Sequence, residues 1–213
     1  MCTVTWLDDP SGGYAVWFNR DERRDRPPGL PPMRADAGGL PYLAPVDAEA
    51  GGTWLAVNAA GVTVGLLNHY AADAARAAAA AAARASTPAH ATPLAAPRSR
   101  GLLVRDLMAC RSVAAVVAAL DGGRAAAYRP FEIVALDPGG DRARLTWDGR
   151  VLARARGDAV RPPVSSSGHD TAAVLASRAA AYEALVGPGV AGPATAPAER
   201  EAALARLEAY QRS

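Results

Sequence analysis

Apolar positions along the chain fall into short runs, and the runs come in pairs. Residues 3–7 and 14–19 are β-branched and aromatic stretches joined by Asp9-Pro10-Ser11-Gly12-Gly13, two strands with a turn-rich connection. Residues 53–58 and 62–67 flank Ala59-Ala60-Gly61 as a second hairpin. Its nearly continuous apolar runs predict strands that are covered on both faces or deeply buried on one. Residues 131–137 and 142–147 form a third hairpin around Pro138-Gly139-Gly140, and 150–155 adds a short strand. The stretch 20–45 is dense in proline, glycine and charge and reads as an irregular surface loop.

Helical patterns lie between and after these hairpins. Residues 102–109 and 113–120 read as helices, the second with Ser112 as its N-cap and Asp121-Gly122-Gly123 as its stop. Residues 170–186 and 198–211 read as two more, separated by a Gly/Pro-rich stretch at 187–197. Residues 71–98 are a low-complexity Ala/Pro-rich insertion. Its first part, alanine with Asp73, Arg76 and Arg84, has high helix propensity without an apolar stripe. An exposed helix running into a flexible linker is expected there, with a structural rather than functional role. Hairpins and helices are grouped rather than alternating, which predicts a single α+β domain over 1–213, antiparallel sheets covered by helices. The pattern alone also admits a simple two-layer sandwich.

Composition narrows the function classes. The 213 residues suffice for one domain with a sizeable core. The net charge is +2, and the arginines at 23, 24 and 26 interleave with Asp21, Glu22 and Asp25, so no basic tail for nucleic acid is present. All basic residues are arginine. Without lysine there is neither Schiff-base chemistry nor a Walker-type phosphate loop. The two cysteines, Cys2 and Cys110, make no disulfide framework, and the histidines at 69, 90 and 169 are too scattered for a metal site. With no signal-like N-terminus and no uninterrupted apolar span, a cytoplasmic protein without a membrane span is expected.

Chemistry concentrates at the amino end. Cys2 follows the initiator methionine, and trimming of Met1 leaves a thiol and a free α-amine on one residue. That is a nucleophile with its own base, because an α-amine with a pKa of about 8 can carry the thiol proton. The run Asn19-Arg20-Asp21-Glu22 closes the next strand, and the fixed charge of Arg20 is expected to lower the thiol pKa. A charged corner of this kind also reads as a plain salt-bridge cluster. Asn58 reads as a hairpin residue, Gly51-Gly52 as positions with positive φ, and Trp54 as core.

The stretches MCTVTWL, GYAVWFNRDERRDRPP and PVDAEAGGTWLAVNAAGVTVGLLNHY resemble the NRDE family, also called the transport and Golgi organisation family. The likeness is close over 1–70 and looser at 99–108 and 128–137. The same stretch is distantly similar to the N-terminal nucleophile (Ntn) hydrolases of the bile salt hydrolase and penicillin V acylase group. The resemblance implies a four-layer αββα sandwich and a site in which Cys2 attacks, Asp21 orients its amine and Asn68 helps form the oxyanion hole. Arg20 assists there, and Asn19, His69 and Ser166 stand on the substrate side. The chain departs from the hydrolase pattern in three places. The hydrolase arginine stands three positions before the aspartate, where this chain has Phe18. An oxyanion asparagine is replaced in the 164–171 segment, where Ser166 is nearest. A late arginine-bearing strand has no counterpart before the chain ends at Ser213, so a fold shortened at its C-terminal end is expected.

Two functions follow from that resemblance. One is an N-terminal-cysteine amidohydrolase or acyl-transfer enzyme acting on a small amide or ester, needing no cofactor. The other is a non-catalytic carrier of haem or an acyl-lipid, for which Cys2, Met33, His69 and His169 are candidate axial ligands.

Overall fold

A computed structural model of the chain describes residues 1–9, 11–22, 25–85, 97–187 and 197–213. Alternation along the first strand, β1 (Cys2–Asp8), generates two of the layers. Cys2, Val4 and Trp6 point to one side and Leu7 to the other, with Thr3 and Thr5 buried beside it. β2 (Tyr14–Arg20) pairs antiparallel along the whole of β1, from Cys2 opposite Arg20 to Asp8 opposite Tyr14.

A second sheet runs as a meander in sequence order: β3 (Leu30–Ala37), β4 (Leu40–Val46), β5 (Leu55–Asn58), β6 (Thr63–Asn68), β7 (Phe131–Leu136), β8 (Arg142–Trp147) and β9 (Leu152–Arg156). All its pairings are antiparallel. The three-residue β10 (Val164–Ser166) returns to the other edge of β1, giving a small sheet ordered β10-β1-β2.

The helices are α1 (Tyr70–Ala85), α2 (Arg100–Leu107), α3 (Val113–Ala119), α4 (Thr171–Leu185) and α5 (Pro197–Arg212). Three apolar clusters fix the order of layers. Leu103, Leu107, Val113 and Val116 of α2 and α3 pack on Val64, Phe131, Ile133 and Leu145 of the large sheet. Val4, Trp6 and Val164 of the small sheet meet Leu67, Val134 and Leu136 from the large sheet's other face. Tyr182, Leu207 and Tyr210 of α4 and α5 close over Leu7. The result is the expected α+β sandwich, αββα with antiparallel sheets. Gly65 lets the sheets approach, because a Cβ there would lie 3.3 Å from the Phe18 ring. Tyr14 bolts them together by donating its hydroxyl to Gly61 O at 2.6 Å.

The loop expected over 20–45 is instead mostly a hairpin, β3 and β4, turning through Gly38 and Gly39 with φ of 62° and 82°. Proline hid it. Pro31 and Pro32 sit at a register irregularity on the edge strand, where a missing N–H costs no ladder bond. The helices and remaining hairpins fall where the pattern put them, and Ser112 accepts from Ala115 N at 3.1 Å as the N-cap of α3. Of the insertion at 71–98, the alanine tract is the exposed helix α1, whereas the linker at 86–96 lies outside the described residues. One side chain of α1 departs from the expected role: Asp73 is buried. Among the described residues no helix is long and apolar enough to cross a membrane.

Candidate active site

The strand register builds the centre of the site. Cys2 lies opposite Arg20 on one side and Ser166 on the other, so the three side chains stand in one row on the inter-sheet face of the small sheet. Just beyond, Met1 and Asp21 exchange backbone bonds, with Asp21 N to Met1 O at 2.7 Å and Met1 N to Asp21 O at 3.5 Å. Cys2 and Arg20 are therefore a pair without ladder bonds between them, the closer kind of cross-strand neighbour. Ser166 Oγ is buried and has no hydrogen-bond partner.

Cys2 is 7% exposed and lines a cleft of about 380 Å³, together with Arg20, Asp21 and Asn68. Those four site residues are brought together. Asn68 ends β6 and donates its amide to the Tyr70 hydroxyl at 3.0 Å. Asn19 and His69 do not line the cleft. Strand alternation turns Asn19 to the helical face, where its amide donates to Gln211 O. His69 caps the entry to α1, with its N–H on Pro130 O at 3.4 Å and its carbonyl accepting from Asp73 N. Among the candidate haem ligands, Met33 is half exposed on β3 and His169 precedes α4, so Cys2 alone is on the cleft wall.

The charged corner is both a salt-bridge cluster and a wall. Arg20 pairs with Glu22 at 2.7 Å and reaches Asp47 at 4.0 Å, while Arg26 holds Glu22, Asp47 and Glu49 at 2.9, 2.5 and 2.9 Å. Trp54 is not core: it lines the cleft with the Arg20 guanidinium 4.2 Å above its ring. Arg20 does pull the thiol pKa down, as expected, but the net shift is upward. Burial pushes the Cys2 thiol up and outweighs the N-terminal ammonium and Arg20, which pull it down, with Glu22 and Asp21 adding to the rise. At neutral pH Cys2 is a protonated thiol and needs a base.

Glycines set the opposite wall. Gly51 has φ of 63°, but Gly52 serves close approach: a Cβ on it would lie 2.6 Å from the Gly101 carbonyl carbon. Thr53 N donates to Gly101 O at 3.1 Å, so the segment before β5 and the first turn of α2 touch through main chain alone. Asn58 is the expected hairpin residue, accepting from Ala60 N and Val62 N, and its amide also holds Met108 O and Cys110 O.

Sequence reasoning missed the cationic part of this wall. Arg129 forks onto Asp73, Nε to Oδ1 at 3.0 Å and Nη2 to Oδ2 at 2.5 Å. Arg100 reaches the same carboxylate at 3.4 Å and Pro130 O at 2.9 Å. Burial, with Arg129 beside it, holds Arg100 below the usual guanidinium pKa against the pull of Asp73. Partners 27 and 56 residues apart leave no local pattern; only a lone acid in an alanine tract hinted at them.

The sequence profile of the family described as Transport and Golgi organisation 2 matches residues 1–151. Comparison with curated proteins gives no significant match. Among solved structures, penicillin V acylase from Agrobacterium tumefaciens superposes with a TM-score of 0.56 at 14% identity, covering 99% of this chain and 71% of the acylase. At that identity the likeness is one of fold, and the fold is that of an Ntn hydrolase.

Proposed function

The chain belongs to the Transport and Golgi organisation 2 family, and on that premise we propose that it cleaves a small amide or ester with Cys2 as an N-terminal nucleophile. The observation that carries this reading is Cys2 on the wall of the cleft, with Arg20 directly across the ladder and Asp21 and Asn68 lining the same cleft. Removal of Met1 converts the Cys2 amide nitrogen into an α-amine, at the edge where Asp21 has released its partner.

The steps follow from the groups present. The α-amine takes the thiol proton as Sγ attacks the substrate carbonyl, forming the S–C bond and an oxyanion. Because the amine takes the proton as the bond forms, the step does not draw on a standing thiolate. Asn68 on the cleft wall and the unpartnered Ser166 hydroxyl, beside Cys2 in the ladder but not on that wall, are the polar groups at hand for the oxyanion. Collapse breaks the C–N or C–O bond as the ammonium returns its proton to the leaving group. Water, deprotonated by the same amine, then attacks the thioester and regenerates the thiol.

The test is intact mass. The mature protein should lack Met1, and incubation with an activated ester should add one acyl group to Cys2 that water then removes. A stable, untrimmed Met1 together with no acyl adduct overturns the reading. The alternative, a haem or acyl-lipid carrier, rests on Cys2 as the sole candidate ligand at the cleft.

A further inference from the structure

We propose that the α2 wall of the cleft is a subsite for a carboxylate on the ligand, held by Arg100 and Arg129. The inference rests on the cleavage reading only for calling that ligand a substrate. Two guanidiniums share the one carboxylate of Asp73, both of whose oxygens are already taken, so this wall carries a positive charge in excess. Arg98, on the same wall, is held by Asp106 at 3.6 Å and by the Tyr128 ring 5.5 Å from its guanidinium, and Arg124 claims that carboxylate more closely at 2.9 Å.

The facing wall is different. Arg20 and Arg26 are matched by Glu22, Asp47 and Glu49, and Asp21 adds a further negative charge there. An anion entering the cleft is therefore drawn to the α2 side and not to the strand-end corner. The Arg100 side chain is only 16% exposed, so water screens its charge weakly, while Arg129 is half exposed and faces incoming ligand. The first turn of α2 supports them. Ser99 makes no side-chain cap bond, and the helix N-terminus adds partial positive charge to the same wall.

Charge selects the anion. The Arg100–Arg129–Asp73 group carries an excess of one positive charge, which a monoanion such as a carboxylate neutralises through charge-assisted hydrogen bonds. A phosphate dianion would leave the Arg100–Arg129–Asp73 group negative.

Calorimetric titration of the full chain with hexanoate, hexanamide and hexyl phosphate tests this. Hexanoate should bind about tenfold more tightly than hexanamide, as expected for charge-assisted hydrogen bonds. That advantage should vanish in Arg100→Gln and in Arg129→Gln and persist in Arg26→Gln on the facing wall. Equal or absent binding of acid and amide, an advantage surviving in Arg129→Gln, its loss in Arg26→Gln, or a preference for hexyl phosphate overturns the proposal. Arg129 is half exposed, so its variant carries the test should Arg100→Gln fail to fold. Hexanoate selectivity without turnover of any amide or ester would refute cleavage alone. Turnover of neutral amides without hexanoate selectivity would refute the carboxylate subsite alone.

Discussion

Ser166 stands directly across the β1–β10 ladder from Cys2, and its buried hydroxyl has no hydrogen-bond partner. Buried hydroxyls are ordinarily satisfied, and an exception beside a nucleophile asks for a transient partner. If that partner is the oxyanion, Ser166→Ala should lower kcat by about 10²–10³. Folding stability should change by less than about 0.5 kcal/mol, since the substitution removes an unsatisfied group. Steady-state kinetics beside a urea titration checks both, and unchanged kcat would return Ser166 to a packing role.

The thiol itself gives a pH prediction. Because burial raises the Cys2 pKa, its alkylation by iodoacetamide should accelerate with pH and reach half its maximum above roughly 8.5, the ordinary cysteine value. Arg20→Gln should move that midpoint higher, as the guanidinium favours the thiolate. A midpoint lowered by the substitution would mean that Arg20 acts through Glu22 instead. Cys2→Ser should abolish acyl transfer and leave stability within about 1 kcal/mol. If haem binds with Cys2 as a ligand, the same variant should shift the Soret band.

Asp73 should matter more than its place on an exposed alanine helix suggests. Asp73→Asn leaves Arg100 without its carboxylate in a largely buried setting, and should destabilise the fold by about 2 kcal/mol. Urea midpoints of the variant and wild type measure this, and a loss below about 0.5 kcal/mol would show that water already satisfies Arg100.

The contact between Gly52 and Gly101 predicts a steric penalty. Gly52→Ala places a methyl 2.6 Å from main-chain carbon, and neither side is a flexible side chain. A cost of about 1–3 kcal/mol is expected, as for overpacked cores. A melting temperature equal to wild type would mean that α2 slides freely on the sheet.

Tyr182 sets an alkaline limit. Burial, with Tyr210 and Glu183 nearby, pushes its phenol up to about 12. A phenol with a folded pKa above its unfolded value of about 10 keeps its proton in the fold. Its contribution is whole below pH ~10 and is lost as pH rises toward about 12, at up to ~1.4 kcal/mol per pH unit. Stability of Tyr182→Phe should be flatter over that window. Its hydroxyl has no partner, so the variant should be no less stable at pH 7.

Elements with strong local signals were readable from sequence. The β1 alternation, the turn after β1 and the Ser112 cap are decided by neighbours a few residues apart. β3 and β4 were not, because proline argues against strands: β3 tolerates it as the edge strand, and Pro41 and Pro45 of β4 stand outside its short pairing with β5 at Tyr42 and Leu43. β10 is three residues long, too short for a period to register, and only its pairing with β1 defines it. The site divides in the same way. Cys2, Arg20 and Asp21 could be placed together because they lie on one hairpin, whereas Asn19, one residue from Arg20, falls on the other face by strand parity. The Asp73–Arg100–Arg129 group joins a helix, a helix start and a pre-strand turn, and only the folded chain brings them together.

The main-chain contact at Gly52 and Gly101 has a consequence for how such a cleft changes over time. The gap between the β5 and α2 sides is gauged by two peptide backbones, which no surface substitution alters, while the half-exposed Arg98 and Arg129 stand beside that frame as interchangeable fittings. Bore and charge are thus inherited separately: a lineage can exchange the polarity of what it admits without recutting the aperture, and loses the aperture only by losing a glycine.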